Sequence, residues 1–85
     1  MNYIIAVFSS RSHTMLFYNR LKAQNKPCSI INNPKATKTV CGICVKFYSN
    51  SLSTARAILN NSLTDFVGFF KLTESFGKFT VSPLK

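Results

Sequence analysis

Cys41 and Cys44 are the residues with the most potential chemistry. They lie in the stretch Asn33-Pro34-Lys35-Ala36-Thr37-Lys38-Thr39-Val40-Cys41-Gly42-Ile43-Cys44, which also carries Lys35, Lys38 and a glycine beside the first thiol. The reactive form of cysteine is the thiolate, and nearby cations and open helix N-termini favour it. Lys35 and Lys38 therefore bias Cys41 toward the anion, and Arg11 adds to them if the fold brings it near. A thiolate exposed on a basic loop is a nucleophile, or an acceptor of a transferable sulfur or selenium atom. Gly42 lets the backbone come close to whatever the sulfur carries. The plain alternative is a small buried residue that opens a strand.

The same spacing, Cys41-Gly42-Ile43-Cys44, matches C-x-x-C, and Cys44 would be the resolving thiol of a redox pair. Here the motif opens a strand. Three extended residues separate the Cα atoms by about 10 Å, beyond the roughly 7 Å that a disulfide spans. A dithiol therefore requires a bend at Cys41-Gly42. A zinc site is short of ligands, because only Cys28 and His13 remain. No metal and no cofactor is expected. His13 would act as a base or orient an anion, or serve as a surface cap. Ser10, Thr37 and Thr39 are cap and loop residues first and anion donors second. Cys28 reads as packing.

The elements that must position these residues follow from hydrophobic periodicity. Asn2 to Phe8 is apolar at odd and even positions alike, as in a central strand covered on both sides. Ser9 or Ser10 caps a helix over residues 12–24, with Thr14, Phe17, Tyr18 and Leu21 on one face. Asn25-Lys26-Pro27 stops it. Cys28 to Asn32 is a second strand, and Ile43 to Tyr48 a third, with Ile43, Val45 and Phe47 on one face and Cys44, Lys46 and Tyr48 on the other. Asn50 or Ser51 caps a second helix over residues 52–60. Asp65 to Thr73 is a fourth strand containing Gly68. Residues 1–74 thus form a single domain, and 75–85 a C-terminal tail that packs on the sheet or a partner, either as a flap or as a short fifth strand.

The order βαββαβ implies an α+β, ferredoxin-like fold: a four-stranded antiparallel sheet in the order 4-1-3-2, with two helices on one face. Its second face, carrying Tyr48 and Phe70, is too apolar to stay wet. Self-association through that open face, or a partner, is the expectation. The topology also brings the loop over residues 33–42 to the edge where Ser9, Ser10 and the first helix begin.

Eleven Lys and Arg stand against only Asp65 and Glu74, a net charge of +9. Such a field attracts nucleic acid, anionic membrane or acidic proteins. The apolar run at the N-terminus is too short for a membrane span or a signal peptide, and with an odd cysteine count this argues for reduced thiols in the cytoplasm. No membrane partner is expected. Nucleic acid is admitted by fold and charge but ranks behind, because Ile43 and Val45 would occupy positions where an RNA-recognition sheet presents stacking aromatics.

The Phe-Ser-Ser entry to a His-bearing helix, the Pro-Cys-Ser-Ile-Ile strand and the run Asn-Pro-Lys to Cys-Gly-Ile resemble a small bacterial domain family, the selenium/sulfur carrier protein-like family. Pro34, Lys35, Thr37, Thr39, Cys41 and Gly42 match its loop, and the likeness spans residues 2–73. The resemblance implies that Cys41 carries sulfur or selenium as an adduct between donor and acceptor proteins, as a carrier or binding module more than an enzyme with its own turnover. Cys44 departs from the pattern: a second thiol there would resolve a persulfide on Cys41.

Overall fold

The structure is a computed structural model that describes residues 2–33, 42–59 and 65–84. Its elements are β1 (Asn2–Phe8), α1 (Arg11–Ala23), β2 (Cys28–Asn32), β3 (Ile43–Tyr48), α2 (Leu52–Leu59), β4 (Phe66–Ser75) and β5 (Lys78–Pro83), with a 3-10 turn at Ser49–Ser51 leading into α2. All strand pairs are antiparallel, and the sheet runs β2-β3-β1-β4-β5. The fold is α+β, as expected, but the sheet has five strands where four were anticipated. The added strand is the segment read as a tail. Lys78 to Pro83 pairs along β4 from Ser75 to Phe70, and so does not lie as a flap across the sheet. Its reading was ambiguous because apolar Phe79 and Val81 alternate with polar residues over only a few positions.

The helices form where side-chain chemistry closes their ends. Ser10 is the N-cap of α1, its side chain accepting from the His13 backbone N–H at 3.2 Å. At the far end Asn25 takes a left-handed conformation (φ 61°). Its N–H donates to the Lys22 carbonyl at 2.9 Å, and the Lys26 N–H reaches the Leu21 carbonyl at 3.4 Å. This pair of bonds is the Schellman closure, for which Asn substitutes for Gly. Proline follows at position 27, which cannot continue a helix.

Alternation along the strands sorts the core into two layers. Ile4, Ala6, Phe8, Val45, Phe47 and Phe69 pack under Phe17 and Leu21 of α1 and Ala55 of α2. The aromatic rings lie in tilted or edge contacts, Phe8–Phe17 at 5.3 Å and Phe66–Phe69 at 4.9 Å between centroids, geometries that satisfy the ring quadrupoles. On the other face Ile5, Val7, Cys44 and Leu72 form a smaller cluster bordered by Tyr3, Ile31, Phe70 and Val81. Ile5, Val7 and Cys44 are fully buried within one chain. The centre of this face is thus covered within the chain, while Tyr48 at its end stays exposed.

Two further expectations change. Val45 lies under the helices, and by the strand's alternation Ile43 shares its side. The objection to nucleic acid that rested on these two residues therefore falls away, since β3 gives Cys44, Lys46 and Tyr48 to the helix-free face. Gly68 pairs with Val7, and the next pair is Phe8 with Phe66, so the register shifts there and leaves Val67 as the extra residue. Val67 is correspondingly exposed, as the unpaired member of a bulge is. No helix among the described residues is long and apolar enough to cross a membrane.

Candidate functional site

Antiparallel pairing decides which residues meet. Ala6 of β1 pairs with Val45 of β3. Three residues further on, the two strands reach Ser9 and Gly42 at the same edge of the sheet. β2 ends there as well: Asn32 pairs with Ile43, and the Asn33 N–H donates to the Gly42 carbonyl at 2.9 Å. On the other side of β1, Phe8 pairs with Phe66, which sets Asp65 beside Ser9. The Ser9 N–H donates to the Asp65 carbonyl at 2.9 Å, and its hydroxyl to the same oxygen at 3.3 Å.

Ser10, Arg11 and His13 lie where α1 begins, and Gly42 immediately precedes β3; sequence singles out all four. Arg11 opens α1 and is exposed. Gly42 is exposed, and a Cβ there would meet nothing within 4 Å. Neither a close neighbour nor a positive φ therefore demands glycine at this position. Pro34, Lys35, Thr37, Lys38, Thr39 and Cys41 lie outside the described residues.

One participant was not anticipated. The Asp65 carboxylate makes a short contact with Nδ1 of His13, a pairing across 52 positions of sequence. The side chains are 34% and 19% exposed, so the pair is neither sealed nor fully washed by water. Burial pushes the Asp65 carboxyl up, but hydrogen bonds from Ser10 and His13 and the charge of His13 outweigh it, leaving it below its ordinary value. The Ser10 hydroxyl thus serves twice, accepting from the His13 N–H and donating to Asp65. Sequence had read Asp65 only as the start of a strand. The available signal was the pairing of β4 with the end of β1, in a chain with just two acidic residues.

The remaining cysteines stand apart. Cys44 is fully buried in the helix-free cluster. Cys28 is half-buried against the helix-side core, with its sulfur 3.9 Å from the Tyr18 carbonyl oxygen. Burial raises the Cys28 thiol above its ordinary value despite the opposing charge of Lys22. Less of it is thus present as the reactive thiolate than in a free cysteine.

The opposite end of the sheet bears a different feature. Tyr3, Pro27, Cys28, Ser29, Lys46, Phe47 and Tyr48 line a cleft of about 180 Å³. The rings of Tyr3 and Tyr48 lie 5.4 Å apart, and the Lys46 ammonium sits 4.5 Å from the centre of the Tyr3 ring.

No curated protein and no solved structure matches the chain significantly. A family model does. The family described as "Putative Se/S carrier protein-like" matches residues 2–71, from β1 to the middle of β4 and including every residue of the rim. The chain therefore belongs to the Se/S carrier protein-like family.

Proposed function

We propose that the protein is a carrier that holds a sulfur or selenium atom on Cys41 and passes it to a partner protein. The observation that carries this reading is the convergence, at one rim, of the residue after Cys41, the capped N-terminus of α1 and the His13–Asp65 pair. Membership of the family supports it. We read the βαββαβ portion as ferredoxin-like, with β5 added at the β4 edge.

The step conserves oxidation state overall. The Cys41 thiolate attacks the outer sulfur of a donor persulfide, R–S–SH. A new S–S bond forms on Cys41, the donor's S–S bond breaks, and the donor leaves as its thiolate. Transfer to the acceptor repeats the exchange with Cys41 as the leaving thiolate. Lys35 and Lys38 stabilise the anions and guide the partner. Gly42 and the start of α1 supply space and N–H donors. Cys44 takes no part, because a fully buried thiol cannot reach an adduct without opening β3.

Intact mass spectrometry of the protein isolated without reductant tests this. The expected result is the gain of one sulfur or selenium, localised to Cys41, lost in Cys41→Ser and kept in Cys44→Ser. Equal loss in both variants points instead to a dithiol, and an unmodified Cys41 after exposure to a persulfide donor removes the carrier reading.

A second reading has its own observation. The Tyr3–Tyr48–Lys46 group combines stacking surface with a cation, on a chain of net charge +9, which suits single-stranded nucleic acid. Gel-shift binding that weakens steeply with salt and is lost in Tyr48→Ala would support it. No shift at low salt removes it.

A further inference from the structure

A strand at the edge of a sheet has one side of its backbone left to pair. β2 is such a strand, since the sheet runs β2-β3-β1-β4-β5 and no strand among the described residues lies beyond it. Register tells which groups point outward. The Asn33 N–H donates to the Gly42 carbonyl. Asn33 and Gly42 are therefore a hydrogen-bonded pair, and in an antiparallel ladder such pairs recur at every second residue. Ile31 with Cys44 and Ser29 with Lys46 are then bonded pairs as well. Cys28, Ile30 and Asn32 lie between them and direct their N–H and C=O groups away from β3. The two edges of the sheet are not alike. β5 begins on Lys78 and ends on Pro83, and charge and proline are what natural edges use to repel another strand. β2, Cys-Ser-Ile-Ile-Asn, has neither.

Beside this edge runs one flank of α1. The Tyr18 carbonyl oxygen lies 3.9 Å from the Cys28 sulfur, which sets that side of the helix against β2. Arg11, Met15, Tyr18 and Lys22 follow one another at helical spacing and share that side. From Arg11 to Lys22 the helix rises about 16 Å, close to the length of a five-residue strand such as β2. Met15 is 37% exposed and Tyr18 half-buried, while Arg11 and Lys22 are exposed. The flank is thus apolar in the middle and cationic at both ends. Lys26 adds a cation in the turn before β2, and no acidic residue occurs in the chain before Asp65.

We infer that the open edge of β2 and this flank of α1 form a docking groove for an extended acidic segment of a partner protein, which joins the sheet as a further strand. N–H and C=O groups alternate along β2 and match another peptide backbone, the basis of strand addition. A phosphate backbone offers acceptors alone and would leave the outward C=O groups unpaired. A second copy of this chain would set +9 against +9. The inference goes beyond the carrier reading and does not rest on it, since the groove is built without Cys41.

Amide hydrogen exchange and peptide titration on the full chain test this. In the free protein the amides of Cys28, Ile30 and Asn32 are expected to exchange faster than those of Ser29 and Ile31 between them. The probe is the peptide Glu-Glu-Thr-Val-Thr-Val-Thr-Glu-Glu at millimolar concentration, with Lys in place of every Glu as the control. The acidic peptide should slow exchange at Cys28, Ile30 and Asn32, and bind more weakly as salt rises. The double variant Arg11→Glu, Lys22→Glu should weaken it about tenfold. Asn32→Pro removes an outward N–H and no bond to β3, and should weaken it too. Thermal melts confirm that the variants are folded, and either one suffices if the other is not. Uniform exchange along β2 in the free protein, no protection by the acidic peptide, or equal binding of the control overturns the groove. Protection that grows with protein concentration alone assigns the edge to a second copy, and protection by polyuridylate assigns it to nucleic acid; both overturn the acidic segment. Neither readout involves sulfur, so the groove and the carrier reading fail separately.

Discussion

Asp65 carries a pH dependence whose sign follows from its surroundings. Its folded-state carboxyl lies below the ordinary value, so the folded protein binds that proton less readily than the unfolded chain. The resulting stability is complete above the ordinary carboxylate range, near pH 4, and is lost as pH falls through the folded value. Urea unfolding of the native protein should therefore show a loss between about pH 5 and pH 3 that Asp65→Asn lacks. Equal acid sensitivity in both would mean that the contact contributes nothing to stability. A second residue invites the opposite kind of change. Phe76 and Gly77 form a two-residue hairpin turn with φ of 53° and 76°, between the paired Ser75 and Lys78. Phe76 is fully exposed at 102%, so its ring gains no packing, while a left-handed backbone disfavours a bulky side chain. Asn prefers that position. Phe76→Asn should raise the urea midpoint, by about 1 kcal/mol of stability, and a lower midpoint would show that the ring makes contacts the backbone argument ignores. At this scale sequence offered Ser9 or Ser10 as the cap of α1, Ser10 being the one whose side chain accepts from the His13 N–H. It missed Asp65, because the partner of a carboxylate 52 positions away depends on strand register and not on local pattern.

The elements were legible where local chemistry decides them and obscure where a neighbour does. α1 announced itself through Ser10, the spacing of Phe17 and Leu21, and the stop at Asn25-Lys26-Pro27, all of which act within a few residues. The bulge at Val67 and the pairing of β5 depend on β1 and β4 as templates, so composition alone left them open. β5 lies beyond the family match, which ends at residue 71. A chain ending at Gly77 therefore keeps the matched region but loses its edge strand, together with Leu84, which packs on the helix-side core and donates its N–H to the Phe69 carbonyl. β4 would then present unpaired N–H and C=O groups along its length, a template for another chain. The truncated protein should fold with a lower melting temperature and associate in a concentration-dependent way by light scattering. A monomer with unchanged melting temperature would make β5 an ornament. Phe17 tests the other layer. It is fully buried against Phe8 and Phe47, and Phe17→Ala should cost about 3–5 kcal/mol, enough to unfold much of so small a domain.

Across the whole molecule, eleven basic residues are opposed by two acidic ones, and one of those, Asp65, is already committed to His13. Surface ion pairs therefore cannot be what holds this chain together. Its apolar layers do that, against a net self-repulsion that weakens the compact state. Screening should relieve the repulsion, since the Debye length shortens from about 30 Å at 0.01 M salt to about 10 Å at 0.1 M. The melting temperature should accordingly rise between these ionic strengths, whereas a fold dependent on ion pairs would show a fall. The same charge acts on encounters in the opposite direction. If the donor or acceptor presents an acidic surface, salt slows association more than dissociation. On the carrier reading, sulfur transfer from a fixed concentration of donor protein should then slow over the salt range in which the protein itself becomes more stable. A transfer rate indifferent to salt would assign the basic surface to solubility alone, and leave partner choice to the rim.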